Sequence, residues 1–421
     1  MTHSSSPSKV LIRSYQMGFG DCFLIAFAYD SEERFLLVDF GTNGTPQGNN
    51  KQQMLAVAKD IYKRCKGKLQ VVVATHRHKD HISGFSTEGK ESPGNIIASC
   101  RPDMVIQPWT EAPGAKTSAQ EAPKDGTKHF LSTLQAMNAF SGKAFRESGR
   151  FWRFGTPSLG ELSFAGQNNL PNLSAVKNLM DMGKTHHYVN TGYQLDWSAV
   201  LPGVKVWVLG PPTLKQSQKI ETEARENPAE FWLTQLDFWK LETGDSGASA
   251  VKPLFPLATE NKTYPLATRW FAKRAAAVRT NQLLELVRIL DKAMNNTSVI
   301  LLLEVAGKRI LLPGDAQIEN WSFALQQKKY TDLLQTTDLY KVGHHGSRNA
   351  TPKSLWDLFK KRGPKGTPDR LKSMVSTMSG KYGSTPETQV PRKTLIRELK
   401  GRSDFFSTEQ LGSTLYKEQT L

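Results

Sequence analysis

Three histidines and an aspartate crowd into six residues, His76-Arg77-His78-Lys79-Asp80-His81, in a chain that has nine histidines in all. On an extended or turning segment His76 and His78 point the same way, because side chains alternate with a period of two. Asp80 and His81 follow once the chain turns and can face a second point close by. Neutral imidazole and carboxylate are good ligands for Zn²⁺, Mn²⁺ or iron. Two neighbouring cations need further ligands, and two later stretches offer them: Gly314-Asp315 after the apolar run RILLP, and His344-His345-Gly346 after LYKV. A lone histidine is ordinarily a surface or satisfied core residue. Six ligand-type positions, each closing a hydrophobic strand, fit metal chemistry better than that bland reading.

The elements that must carry these residues read as follows. KVLIRSY (9–15), CFLIAFAY (22–29) and RFLLVDF (34–40) are predicted strands with turns at GFGD and DSEE. KQQMLAVAKDIYKRC (51–65) has helical spacing and a basic last turn. LQVVVAT (69–75) is a β-branched run of the kind that makes a buried central strand, and the histidine cluster follows at its C-terminal end, where α/β sheets present ligand-binding loops. Strands are expected at 104–109 and 203–212, a helix at 127–140 and a helix-rich block over 213–294. Beyond it come a hairpin over 297–315 around Ala306-Gly307-Lys308, a strand over 338–347, a short strand at 373–379 and a basic helix at 391–402. The expected fold class is therefore α/β.

Composition narrows the setting. Hydrophobic residues make up 38% and charged residues 22% of the 421, a globular balance. No apolar run is long enough for a membrane span and MTHSSSPSK is no signal peptide. Three widely spaced cysteines, Cys22, Cys65 and Cys100, define neither a disulfide framework nor a CxxC zinc site, and a cytoplasmic location is expected. The net charge is +16, and residues 301–421 hold 20 Lys/Arg against 12 Asp/Glu. The densest part runs from Lys353 to Arg402. Such a surface either attracts a polyanion or is simply a solvated basic face. Arg348, Lys360, Lys361, Arg362, Arg392 and Lys393 are the candidate nucleic-acid or phosphate contacts. Arg77 and Lys79 are expected to point away from the ligands, as surface charges or phosphate contacts.

HxHxDH, the later Gly-Asp and the final HHG, in that order, resemble the metallo-β-lactamase superfamily. Finer detail resembles its branch containing the hydrolase domain of the DNA-uptake competence protein ComEC: Gly18-Phe19-Gly20-Asp21, the LLVDFG stretch with Asp39, Asn296-Thr297-Ser298, Gly314-Asp315, and Lys341 through Ser347. The matching pieces cover about 9–85 and 296–390, with weaker similarity near 195–212. The resemblance implies an αββα sandwich and two divalent metal ions, Zn or Mn. His76 and His78 would hold the first. Asp80, His81 and one histidine of the HHGS pair, His345 being preferred over His344, would hold the second, and Asp315 would bridge. His344 would face substrate as phosphate binder or proton donor. Asp80, His344 and Lys341 would form the catalytic set, with Asp39, Asn296 and Ser347 supporting the ligands from behind.

The chain departs from the family's pattern in two places. A further first-site histidine, common in the superfamily, would come from His129, His186 or His187, none of which follows a clear strand; THHY (185–188) otherwise reads as a loop or helix cap. KYGSTP has Ser384 and Thr385 where related chains often place a late histidine. Residues 1–107 and 296–421 would form the two halves of the domain, 191–212 a return to the core, and 108–190 and 213–295 two large, mainly helical insertions.

No nucleophilic Ser or Cys motif is evident, so the expected reaction is hydrolysis by a metal-bound hydroxide. The basic C-terminal region, Lys341 and Arg348 favour a phosphodiesterase or nuclease with nucleic acid or another phosphodiester as partner and no membrane. A carboxylic ester, lactone or amide hydrolase, an iron-dependent redox enzyme and a non-catalytic nucleic-acid-binding module are the alternatives.

Overall fold

The computed structural model describes residues 6–112, 172–213, 215–217, 294–347, 349–383 and 389–421. Most of both expected insertions, the helix expected at 127–140, His129, Arg348, Ser384 and Thr385 lie outside the described residues.

Two mixed sheets organise the chain. The first begins as an antiparallel meander of β1 (Lys9–Tyr15), β2 (Cys22–Ala28) and β3 (Glu33–Phe40). It continues with β4 (Val71–Val73), β5 (Met104–Pro108) and β6 (Thr185–Val189), all parallel to β3. The second repeats this wiring. β7 (Lys205–Gly210), β8 (Ile300–Val305) and β9 (Lys308–Leu312) are antiparallel, and β10 (Leu339–Lys341), β11 (Lys372–Val375) and β12 (Asp404–Ser407) run parallel to β9. The last strand, β13 (Tyr416–Thr420), returns to the first sheet and pairs antiparallel with β1.

Side-chain alternation decides which face of each sheet meets what. Val10, Ile12, Phe23, Ile25, Val38, Val71 and Val73 of the first sheet share one buried cluster with Leu301, Leu303, Ile310, Leu312, Met374 and Phe406 of the second. The sheets therefore stack face to face. The intervening residues point outward under helices. Leu24, Leu37, Val72 and Val105 pack beneath α1 (Asn50–Arg64), α3 (Pro93–Ser99) and α4 (Leu173–Asp181). Ile300, Leu302, Leu311 and Tyr340 pack beneath α5 (Ile318–Gln326), α6 (Lys328–Leu334), α7 (Lys353–Leu358) and α8 (Lys393–Arg402). The remaining helix, α2 (Lys79–Ile82), is a single turn inside the histidine cluster.

α1 shows why such a segment is helical. Val57, Ala58 and Ile61 are buried on one side of it, Asn49 caps its start by accepting from the Gln52 N–H at 3.2 Å, and Lys63 and Arg64 sit in its last turn. Behind it, Cys65 and Cys100 are buried with their Sγ atoms 3.8 Å apart, as free thiols. No helix among the described residues is long and apolar enough to cross a membrane.

Several boundaries differ from expectation. Residues 172–189 are not part of an insertion: α4 packs on the first sheet and β6 extends it. THHY is a strand rather than a loop or cap. The strand expected over 338–347 is regular only at Leu339–Lys341, because the chain turns into the histidine pair directly afterwards. β12 and β13 are short and polar at their exposed positions, so alternation within each is too brief to read.

Because β3 to β6 are parallel, and so are β9 to β12, their C-terminal ends gather along one edge of each sheet. The ligand-type residues leave from those ends. Ile25, fully buried between the sheets, gauges the core they rest on. Ile25→Ala is expected to destabilise the protein by roughly 2–5 kcal/mol, read as a lowered urea midpoint with an unchanged slope.

Candidate metal centre

Asp39 closes β3 with a left-handed backbone, φ 55°. Its carboxylate accepts from the Thr75 N–H at 2.7 Å, from the Thr75 hydroxyl at 2.8 Å and from His81 Nδ1 at 2.8 Å. Thr75 Oγ1, its proton committed to Asp39, in turn lies 3.2 Å from His76 Nδ1. One carboxylate thus sets the tautomer of His81 directly and of His76 through a hydroxyl. In the neutral form of both rings Nε2 then carries the lone pair.

The turn that follows is seated on glycine. A Cβ at Gly41 would lie 2.5 Å from the Lys79 carbonyl oxygen and 2.6 Å from His81 N, so only a bare α-carbon lets this backbone approach.

Asp80, His81, Asp315 and His345 are all buried and bring one ligand atom each to within 4.8 Å of one another. His345 Nδ1 donates to the Ser376 carbonyl at 2.9 Å, which turns its Nε2 toward Asp80 Oδ2 at 3.0 Å. His81 Nε2 faces Asp315 Oδ2 at 3.1 Å. With both rings neutral, acceptor atoms converge on acceptor atoms, and His81 Nε2 and Asp80 Oδ1 have no hydrogen-bond partner among the described residues. That arrangement is stable only with positive charge between the groups, as protons or as a divalent cation. The donor set, two carboxylates and two imidazoles, fits such an ion. His76 and His78 form an adjacent pair, His76 Nε2 lying 2.9 Å from His78 Nδ1, and the His76 ring lies against that of His81 with centroids 4.1 Å apart.

The electrostatics follow from this convergence. Burial pulls the pKa of His81 down, but Asp315, Asp39 and Asp80 together push it well above the ordinary histidine value. His345 is raised against burial by Asp315 and by its bond to Asp80. Asp315 is held well below the usual carboxylate range, against burial, by His81, His345 and Lys341. His76 goes the other way: burial first, then repulsion from His81 and His78, holds it neutral.

Lys341, expected to act on substrate, instead lies inside. It is 3% exposed, pairs with buried Asp21, donates to the Gly314 carbonyl at 3.1 Å and stands 3.5 Å from Asp315 Oδ1. Its ammonium steadies the two carboxylates and does not reach the surface. The sequence alone assigns Asp21 no role; its place in Gly18-Phe19-Gly20-Asp21 is the available signal. Its backbone N–H also donates to the Asp80 carbonyl at 2.9 Å, tying the start of β2 to the histidine turn.

His344 and His345 both have left-handed backbone, φ 43° and 52°, which sends consecutive rings in different directions. His345 is fully buried among the ligands. His344 is half-buried: its Nδ1 meets the Ser347 hydroxyl at 2.9 Å, its Nε2 lies 3.4 Å from Asn295 Nδ2, and its backbone N–H donates to Asp315 Oδ1 at 3.0 Å. Ser347 therefore orients His344 rather than a ligand. Asn296, expected behind the ligands, is buried with its side-chain oxygen bonded to none of them; Ser298 supports a ligand instead, its hydroxyl accepting from the Asp315 N–H at 3.3 Å, while Asn295 holds His344. His187 Nδ1 meets the Tyr193 hydroxyl at 3.2 Å, and neither His186 nor His187 belongs to the ligand group.

The basic candidates separate by position. Lys361 Nζ is bound to Asp338 at 2.6 Å, immediately before β10, and Arg362 to Asp357 at 3.1 Å. They and Lys360 lie at the N-terminal ends of β10 and β11, away from the ligands. By contrast the Arg392 N–H donates to the Gly346 carbonyl at 2.8 Å, and Lys393 opens α8 beside it. Arg77 is neither a surface charge nor a phosphate contact, because it forms a two-pronged pair with buried Glu111 at 2.7 and 2.6 Å. Lys79 is half-buried, and burial lowers its pKa.

No family model matches this sequence, and no curated protein matches it.

Two outcomes follow. Asp39→Asn, which weakens the hold on His81 and Thr75, is expected to lower divalent-metal affinity about 10–100-fold, measured by competition with a chromophoric chelator. Metal affinity of the wild type should also rise with pH. An incoming ion must displace protons from His81 and His345, whose pKa values are raised, while Asp315 stays ionised. A Zn²⁺ titration repeated from acidic to mildly alkaline pH should therefore show binding weakening as pH falls through and below that raised range.

Proposed function

We propose that the chain is a metal-dependent hydrolase with a metallo-β-lactamase-like αββα sandwich, acting on phosphodiesters. The observation that carries this reading is the convergence of Asp80, His81, Asp315 and His345 from separate strand ends onto one point, with the Nε2 atoms of His81 and His345 turned toward carboxylate oxygens. These four would hold one ion, and His76 and His78, beside them, would hold a second, with Asp315 reaching toward both. A bound divalent ion would supply Lewis-acid activation of water and neutralisation of developing negative charge.

The chain's own residues do the rest. Asp39 keeps His81 and His76 in the tautomer that exposes Nε2. Ser376 does the same for His345. Lys341 compensates Asp21 and Asp315, so that four buried carboxylates coexist in one small volume. His344 is the one imidazole of its pair that reaches the surface, held by Ser347 and Asn295. There it can donate to or withdraw a proton from a substrate oxygen. An anionic substrate is favoured by Lys79 in the histidine turn, Lys381 near enough to repel it, and Arg392 beside Gly346, in a chain of net charge +16.

Hydrolysis of bis-p-nitrophenyl phosphate with Mn²⁺ or Zn²⁺ tests the reading. Wild type should turn over and lose activity to chelator. Asp80→Ala should abolish turnover with an unchanged circular dichroism spectrum, since it removes a ligand and little core volume. His344→Ala should lower kcat by about 10²–10⁴-fold while metal content, measured by atomic emission, stays at the wild-type level. An Asp80→Ala protein with full activity, or a wild type that holds metal but cleaves no phosphodiester, would overturn it.

A further inference from the structure

Next to the histidine turn lies a concave surface that includes none of the four candidate ligands. It is a cleft of about 830 Å³ between α8, β12 and the segment around Ser379 and Gly380. It begins directly behind the histidine turn. A Cβ at Gly346 would lie 3.1 Å from Pro391 Cβ, and Pro391 forms part of the cleft wall.

Two features mark its chemistry. Lys393, Arg397 and Lys400 all line it from α8. Their spacing of four and three residues puts them on one side of the helix, at successive steps of roughly 6 and 4.5 Å along its axis. All three are exposed and, among the described residues, none forms an ion pair or hydrogen bond through its side chain. This contrasts with Lys361, Arg362 and Arg370, which are tied to Asp338, Asp357 and Asp404. Between the cations the floor is apolar, with half-buried Ile396 and Phe405 and buried Pro391. The acidic group in the cleft, Glu409, is engaged by the Ser379 N–H at 2.6 Å.

We propose that this cleft binds a single strand of nucleic acid leading away from the metal centre. The phosphates would lie along Lys393, Arg397 and Lys400, and bases would rest on Phe405 and Ile396. A row of cations beside an apolar floor is what an unpaired strand needs, since it offers both a charged backbone and free base faces. A duplex keeps its base faces stacked and could use only the cations. This inference deepens the proposed phosphodiesterase activity by naming its polymer and rests on that reading for its biological sense. The binding itself is measured without turnover.

The test is fluorescence anisotropy of the full chain with a labelled single-stranded DNA of about 20 nucleotides, on ice, over about 50–200 mM salt. The strand's integrity is checked on a gel. Lys393→Gln/Arg397→Gln/Lys400→Gln is compared with wild type and with Lys51→Gln/Lys59→Gln/Lys63→Gln, a variant of equal net charge altered on exposed positions of α1. The α8 variant is expected to bind at least about tenfold more weakly, with a salt slope shallower by about 2, three contacts at about 0.7 each. The α1 variant should stay within about twofold of wild type, and melting temperatures should match. Duplex DNA and inorganic polyphosphate should bind wild type more weakly than the single strand.

Equal loss in both variants, no loss in the α8 variant, or a wild type that does not bind the strand would each overturn the proposal. So would binding to phosphatidylserine vesicles in place of the strand. Failure of the small-diester assay with this binding intact would sink the hydrolase reading alone. The reverse result would sink the cleft alone.

Discussion

The Asp39 carboxylate is the interaction on which the site depends. It is buried at the end of β3, in a backbone conformation that costs a non-glycine residue of order 1–3 kcal/mol. Burial also pushes its pKa up, against the pull of His81. Both costs are met by three hydrogen bonds, two to Thr75 and one to His81. Those bonds join the end of the neighbouring parallel strand, β4, to the turn that carries Asp80 and His81. The meander, the central strand and the histidine turn are thereby joined without any residue of the second sheet.

The second sheet completes the unit by the same logic. In each sheet an antiparallel three-strand meander ends in a segment bearing an aspartate, Asp39 or Asp315, and the next parallel strand ends in histidines, His76 onward or His344-His345. Gly314, with φ 55°, brings the two together: a Cβ there would lie 2.7 Å from Thr75 Cβ. The cluster between the sheets keeps both edges at a fixed separation. The ligand atoms therefore meet because two rigid edges meet, and no long flexible loop has to place them.

A buried group of four carboxylates would not survive folding unaided. Lys341 offsets two of them, and raised pKa values on His81 and His345 show how strongly the remainder draws positive charge. Sheet polarity also sorts the basic residues. Lys361 and Arg362, at the N-terminal ends of β10 and β11, are held in structural pairs. Those on α8, next to the HHG turn, face solvent across a cleft.

Local pattern carried most of what could be read from the amino acids alone. The ligand types were visible in His76, His78, Asp80, His81, Asp315 and His345 because short spacings and the polar end of an apolar strand are properties of neighbours in the chain. The three-strand start, α1, the 297–315 hairpin and α8 were legible for the same reason: 2.0- and 3.6-residue periods persist through each. Contacts between distant segments left no such trace. Lys341 looked like a catalytic cation until Asp21, 320 positions away in the chain, was seen against it. Arg77 looked like a surface charge until Glu111 was placed on it, and Asn296 was separated from Asn295 only by the turn that points one of them at His344. Spacing likewise left His344 and His345 interchangeable; two successive left-handed residues turn one ring inward and the other outward. Residue type and period set which groups can do the chemistry. Which of them face one another depends on how two separately built sheet edges come to rest, and that is a property of the packed core rather than of any stretch of chain.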